Sequence, residues 1–460
     1  MNYQEFIERK TRLVERVGFD VDPASLNPRL KPFQRDSVMW AVRQGRFMGA
    51  QDCGLGKSFE ELESARCVVE KTGEKYLIVC PLAVAHQTKR EAEKFQVNCD
   101  VTVCQHPEEL RAGINIINYE RLPHFKNEKF CGLTLDEGSI IKSVDGHYRR
   151  LLLEHFSHIQ FRQSWSATPA PNDFMELGNQ AQFCGIMTRA EMLSVFFVHD
   201  GGETSKWRLK KHAHKEFWNW MASWSMFMQK PSDLGYDDEG YLLPPLEYHE
   251  VEIKAKANRS GWLFNTEAKT LNERRDARKD SMDERVAITA DIINASPDCW
   301  VVWCNYNDEG DKLEKAIKDS VQVAGRHSIE QKEDRLDGFT KGNIRVLIIK
   351  PKIGGHGLNW QHCHNTIIYP TDSWEQWYQM IRRFYRFGQQ SPVNVTYIVS
   401  EGESAVVRNL FRKERDAQKM YGGIIASMRE RMTGNIKLRQ LSAGTYKPEM
   451  QMEVPSWLNA

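Results

Sequence analysis

The sequence has no CxxC pair, no apolar run of membrane-spanning length, no charge excess and no low-complexity stretch. Each absence removes a class of protein. Ten cysteines scattered along 460 residues argue against a disulfide framework or a zinc module and for reduced thiols in a core. His362 Cys363 His364 is the one cluster that suggests a metal; two histidines without a second pair elsewhere favour a structural role. No window approaches the roughly 18 uninterrupted apolar residues a membrane span needs, and Met1 to Phe6 is not a charged-then-apolar leader. The expectation is a cytosolic chain without a membrane partner. Sixty-three basic residues against 62 acidic ones leave almost no net charge, so a nucleic-acid surface would be a local groove rather than a basic body.

What is present suits well-formed cores: 41% apolar residues, 10% aromatic, and a length that favours two or three domains. Strand-like runs at Arg46 to Ala50, Tyr76 to Cys80, Ile114 to Asn118, Leu133 to Leu135 and Phe161 to Trp165 alternate with helical stretches. A second set follows at Trp300 to Cys304, Arg345 to Ile349, Thr366 to Tyr369 and Asn394 to Val399, with helices expected near Trp374 to Tyr385 and Glu403 to Ala417. Such alternation predicts two α/β domains in tandem, each a parallel sheet covered by helices.

Between them, residues 173–245 read as a helical, aromatic-rich insertion and linker, with Phe217, Trp218, Trp220, Met221, Trp224 and Met228 at three-to-four-residue spacing. A core stripe is the plainer reading; a docking surface for a protein partner or a base-stacking surface is the alternative. The expected domains are an N-terminal extension over 1–30, a first lobe over 31–172, the insertion, a second lobe over 246–420 with a charged, solvated protrusion near 254–285, and a C-terminal tail over 421–460.

The stretch Ala50 Gln51 Asp52 Cys53 Gly54 Leu55 Gly56 Lys57 Ser58 joins a strand to a helix running to about Thr72. At such a junction backbone N–H groups face a phosphate; Gly54 and Gly56 permit close approach, Lys57 neutralises charge, and Ser58 can hold Mg²⁺. Gln51 stands where the strict motif has glycine, and a bland glycine-rich turn is the alternative. Asp136 and Glu137 end a buried strand, where ligands bind in open α/β sheets. Asp136 would hold Mg²⁺ and Glu137 would orient and deprotonate the attacking water, unless the pair is only a helix N-cap. In the second lobe Arg383 and Arg386, three apart on one helical face, would reach the phosphates as arginine fingers, or form a solvated basic face. Glu252 Ile253 Lys254 offers a nuclease-like ExK but reads as a strand entering the second lobe.

Over about Leu30 to Val407 the chain resembles the superfamily-two helicases, and within them the Swi/Snf-type DNA translocases, in the compact form of bacteria and their phages. Leu30 Lys31 Pro32 Phe33 Gln34 is similar to the adenine-reading Q motif, with Gln34 as base contact. Gly54, Leu55, Gly56, Lys57 and Ser58 match the phosphate loop, and Asp136 Glu137 the DExx box. Val79 to Leu82, including Pro81, and Asn118 Tyr119 Glu120 match segments lining the nucleic-acid path. Ser166 Ala167 Thr168 Pro169 matches the coupling motif, with Thr168 linking hydrolysis to strand contact. In the second lobe Gly354 to Trp360, with Gly357 and Asn359, is similar to the GGxGLN segment, Trp374 falls at a DNA-contacting tryptophan, and Gln379 to Gln389 matches QxxxRxxRxGQ. One departure is Gly138 Ser139, where relatives carry alanine and then histidine or another coupling side chain.

The resemblance implies two RecA-like domains that bind ATP and Mg²⁺ between them and move along nucleic acid, most plainly double-stranded DNA, in a bacterial or phage-infected cytosol. Lys206, Arg208, Lys210, Lys211, Arg274, Arg275 and Arg278 are candidate phosphate contacts. Alternatives are a strand-separating DNA or RNA helicase and a nucleotide-gated clamp or adaptor in a phage or defence complex.

Overall fold

The computed structural model describes residues 16–82, 84–200, 203–253, 278–354, 358–400 and 403–432. Lobe 1 opens with α1 (Pro32–Gln44), β1 (Arg46–Gln51), α2 (Lys57–Thr72), β2 (Tyr76–Cys80), α3 (Ala85–Phe95), β3 (Val101–Val103) and β4 (Ile114–Asn118). It continues through β5 (Gly132–Asp136), α4 (His147–His155), β6 (Phe161–Ser166), α5 (Leu177–Cys184) and α6 (Arg189–Phe196). A hairpin of β7 (Phe197–Asp200) and β8 (Glu203–Leu209) follows, then α7 (His214–Met221) and β9 (Ser225–Met228). Seven strands form one parallel sheet in the order β3-β4-β2-β5-β6-β1-β9. Buried on both faces, its central strands are near-continuous apolar runs, which is why they were legible as strands.

Lobe 2 comprises β10 (Leu246–Ile253), α8 (Met282–Asn294), β11 (Trp300–Trp303), α9 (Asn307–Ala316), β12 (Ser320–Val323), α10 (Ile329–Thr340), β13 (Val346–Ile349), α11 (Pro351–Gly354), β14 (Asn365–Ile368), α12 (Trp374–Ile381) and β15 (Val393–Ser400). Its parallel sheet runs β10-β15-β14-β11-β13-β12. The two tandem RecA-like α/β domains are therefore present.

Three expectations need correction. The stretch read as a helical insertion contains β9, which pairs in parallel with β1 and completes the lobe 1 sheet, so lobe 1 extends well past residue 172. Trp224 and Met228 flank and end that strand, while Phe217 and Met221 sit on α7; all four are fully buried, whereas Trp218 and Trp220 are half-buried. The stretch from 421, expected as a helix and then a loose tail, does not begin a separate segment but continues α13 (Ser404–Met432), a 29-residue helix. It leaves lobe 2 and lays Met420, Tyr421, Ile424, Ile425 and Met428 into the lobe 1 core. Finally, Arg278 is no solvated phosphate contact: it is buried, donating to Glu403 at 2.9 Å and to Asp372 at 3.2 Å. Arg274, Arg275, most of the expected 254–285 protrusion, residues 1–15 of the N-terminal extension and everything beyond 432 lie outside the described residues, as does the Lys206 side chain.

Close packing fixes some glycines by space alone. Gly49 on β1 lies under the fully buried Trp165 ring of neighbouring β6, where a Cβ would overlap the indole carbons. Gly49→Ala is expected to cost about 2 kcal/mol, the usual penalty for overpacking a core, read as a lowered urea midpoint at unchanged slope.

Candidate functional site

The sheet order itself assembles the site. Asp136 is in register with Trp165, and Ala50 with Ser166, so the ends of β5, β6 and β1 bring the acid pair, Ser166 and the phosphate loop onto one carboxyl edge. Pro81 follows β2 and Asn118 ends the paired β4 farther along that edge, since Cys80 is in register with Asn118. Both are half-buried, and the Asn118 Oδ1 atom has no protein partner. Leu82 beside Pro81 is 66% exposed.

In the loop, Gly54 and Gly56 adopt φ of 90° and 96°, in the left-handed region that favours glycine. Gly56 caps α2, leaving the first amides of the helix without intrahelical acceptors. Lys57 Nζ donates to Gln51 O at 2.9 Å and Asp52 O at 3.2 Å. Gln34 Nε2 donates to Leu55 O at 2.7 Å while its Oε1 accepts from Lys31 N at 2.9 Å, so this glutamine braces the loop it was expected to serve as a base reader.

Glu137 is a non-glycine residue at φ 55°, ψ 53°, a strained conformation of the kind that concentrates at functional positions. Its Oε2 accepts from Ser166 Oγ at 3.2 Å, and Ser166 Oγ accepts from Thr168 N at 3.0 Å. Ser166, which sequence reasoning passed over for Thr168, is thus the side chain of this segment that touches the acid; Thr168 is buried with its hydroxyl unpartnered. Tyr421 of α13 donates to Ala167 O at 2.8 Å, tying the same motif to the helix from lobe 2. Gly138, in place of alanine, also has a local reason: a Cβ there would overlap Ser164 Oγ, which donates to Gln180 Oε1 at 2.7 Å.

Burial, reinforced by neighbouring Glu137, pushes the Asp136 carboxyl up to about 7. Glu61, one turn after Lys57 on α2, is also raised well above its ordinary value, chiefly by burial and then by Asp136, and its Oε1 has no partner. Lys57 offsets only part of the charge of these crowded carboxyls, and their chemistry suits a hard divalent cation such as Mg²⁺ with a nucleotide triphosphate.

Lobe 2 meets this edge through the Gln379 to Gln389 run, but not as one helical face. The helix expected to reach Tyr385 ends at Ile381; beyond it the Arg383 amide donates to Met380 O, and Arg383 Nε donates to Gln379 O at 3.0 Å. Arg383 is buried, a setting that pulls its guanidinium below the ordinary value, and donates to Leu358 O at 3.0 Å. Arg386 points to the same carbonyl at 3.4 Å. The arginine of this run that reaches lobe 1 in an ion pair is Arg382, 2.5 Å from Asp52 of the phosphate loop. Tyr378 also donates to Asp52, and Arg382 lies 5.0 Å from the centroids of both Tyr378 and Tyr385. Phe387 packs on Gly54, where a Cβ would come within 2.9 Å of its ring. Lys142 of lobe 1 pairs with Glu375 of lobe 2.

Trp374, expected on the nucleic-acid path, is only 4% exposed, with its ring 5.3 Å from Tyr378; in this arrangement it offers a strand no surface. Asn359 is exposed, Gly357 lies outside the described residues, and Lys210 donates to Ser194 O and Val195 O, each at 2.9 Å. Cys363 is buried and its thiol donates to Cys299 O at 3.3 Å.

Residues 284–388 match the helicase conserved C-terminal domain family. The Bacillus subtilis (strain 168) protein YwqA, named as an ATP-dependent helicase/translocase, is 23% identical over 86% of this chain and 49% of its own length. A Caenorhabditis elegans homologue of the SWI/SNF-related, matrix-associated, actin-dependent regulator of chromatin subfamily A-like protein 1 is 34% identical over 28% of this chain and 20% of its own. The chain thus spans about half the length of the first relative and a fifth of the second. The SWI2/SNF2 ATPase core of Sulfolobus solfataricus, solved in complex with dsDNA, aligns with a TM-score of 0.43 at 15% identity, covering 87% of this chain and 98% of that one. Two parallel-sheet lobes facing each other across a phosphate loop and an acid pair define a superfamily-two helicase core. Within that superfamily the matched relatives make the chain similar to the Swi/Snf-like proteins.

Among the described residues no helix is long and apolar enough to cross a membrane.

Proposed function

We propose that the chain is an ATP-driven motor that hydrolyses ATP in the interlobe cleft and moves along double-stranded DNA. The observation that carries this reading is the direct apposition of the phosphate loop to the arginine run of lobe 2 through Asp52 and Arg382. A site split between two lobes makes hydrolysis depend on their relative position, which is how a motor converts turnover into movement. The family resemblance and the name carried by the Bacillus relative point the same way.

In this reading Lys57 exchanges its two loop carbonyls for phosphate oxygens, while Ser58 and Asp136 hold Mg²⁺. The bound cation would offset triphosphate charge. Glu137 orients the attacking water, with Ser166 fixing one carboxylate oxygen. Arg383 and Arg386 are the proposed fingers, which would leave Leu358 O when the lobes close. Gln34, Leu55, Gly357 and Asn359 complete the nucleotide surround, and Pro81, Asn118, Thr168 and Trp374 the strand side; Trp374 would require a rearrangement to reach it.

The test is steady-state ATP hydrolysis with and without duplex DNA, single-stranded DNA and RNA. Strong stimulation by duplex that weakens with added salt is expected, because phosphate contacts release counterions; equal rates with and without duplex would defeat the translocase reading. Glu137→Gln is expected to retain ATP binding while hydrolysis drops roughly a hundredfold or more, the scale of losing one positioned base. A wild-type rate would remove Glu137 from that role.

A further inference from the structure

Outside the cleft, on the flank of lobe 1, α4, α5, α6 and β8 surround a cavity of about 380 Å³. Two arginines face it. Arg149 of α4 spends its terminal nitrogens on Val144 O at 2.8 Å and Gln182 Oε1 at 2.7 Å, leaving a buried Nε without a partner. Arg189, at the start of α6, also has a buried and unpartnered Nε. Its stem lies against Gly178 of α5, where a Cβ would approach the Arg189 Cγ to 2.9 Å. Neither guanidinium is ion-paired among the described residues, and each is pulled below its ordinary value by burial, Arg149 also by Arg189 itself, with Asp145 near Arg149 and Asp173 near Arg189 opposing the shift less strongly.

Two cations sharing a partly dry pocket repel, and an anion between them would relieve the repulsion. The remaining wall is of another kind. Trp207 of β8, with its ring 3.6 Å from the His199 ring, lines the cavity alongside Leu193 and Val144. A flat aromatic wall beside an anion cradle matches a phosphate joined to a planar ring, and the volume lies within the range of small-ligand sites. We propose that this pocket is a second nucleotide-recognition site, which takes one phosphate on Arg149 and Arg189 and the attached base against Trp207. The occupant is either a nucleotide unit within a strand or a free mononucleotide. All of the named residues belong to lobe 1 and none to the phosphate loop, so the assignment stands apart from the proposed motor reading.

The test uses the full chain carrying Lys57→Ala, so that nucleotide bound at the loop does not mask the signal. Binding of AMP, inorganic phosphate, and labelled single- and double-stranded oligonucleotides is measured by calorimetry and anisotropy. Arg149→Gln and Arg189→Gln should each weaken the bound probe about tenfold, the scale of one charge-assisted hydrogen bond, and Arg189→Lys should weaken it less. Trp207→Leu should weaken AMP or oligonucleotide but leave inorganic phosphate unchanged. Loss confined to oligonucleotides identifies a strand as the source; loss for AMP identifies a free nucleotide. Thermal melting of each variant separates lost binding from lost fold, with Trp207→Leu and Arg189→Lys as the readout where a glutamine variant does not fold. Equal affinities in parent and folded variants, or no binding of any probe to the parent, overturn the proposal.

Discussion

Replacing Lys57 by alanine is expected to lower ATP turnover by a factor on the order of 10³ or more, with and without duplex DNA, because phosphoryl transfer depends mainly on positioning and charge compensation. The amine sits at the first position of α2 and is already directed at the turn of the loop, where it bonds two backbone carbonyls. Without it those carbonyls would point towards the incoming phosphates with no cation between them, beside carboxyls that burial already pushes towards protonation. Loss of function by unfolding is a poor rival explanation, since alanine is the best helix former and Lys57 holds no ion pair among the described residues. Steady-state hydrolysis, with a melting curve for each protein, is the measurement. A variant that folds and retains the parental rate would refute the nucleotide reading of the loop.

The parts of this site that were legible in the sequence are those built from contiguous residues. The loop, the acid pair and the strands that carry them announce themselves because a strand buried on both faces must be apolar throughout, and because only glycine tolerates the backbone at positions 54 and 56. What failed to show depends on partners distant in sequence. The tryptophan-rich run gives a helical period, yet Ser225 to Met228 becomes a strand because an unpaired edge of β1 is available to it. The far half of α13 looked like a tail because its apolar residues complete a core more than 200 positions upstream, as with Met428 Sδ accepting from Phe227 N at 3.2 Å. Arg383 looked like a finger on a helix because spacing alone does not show that the helix ends at Ile381 and that the guanidinium folds back onto Gln379. Nothing in sequence marked Arg382 above its neighbour; what singles it out is Asp52, 330 residues away.

Breaking that one contact is expected to have the second large effect. Arg382 and Asp52 are both nearly buried, and although burial pulls the guanidinium down, Asp52 and Tyr378 hold it above its ordinary value. Removing one member of such a pair strands a desolvated charge, a loss of about 3–5 kcal/mol in comparable buried pairs. Arg382→Ala should therefore destabilise the chain on that scale, and Asp52→Asn less, because an amide oxygen can still accept from Cys53 N, now 2.7 Å from Asp52 Oδ1. Since the pair joins lobe 2 to the loop that would hold ATP, the double variant should be less damaged than the sum of the two single losses, both in urea stability and in ATP affinity. Tyr378→Phe, which removes one donor to Asp52 while leaving the ring against Arg382, gives a milder third point. Additive losses in the cycle would mean that the two residues act separately, and that the lobes are held together by the packing of α13 and by the Lys142 and Glu375 pair rather than through the phosphate loop.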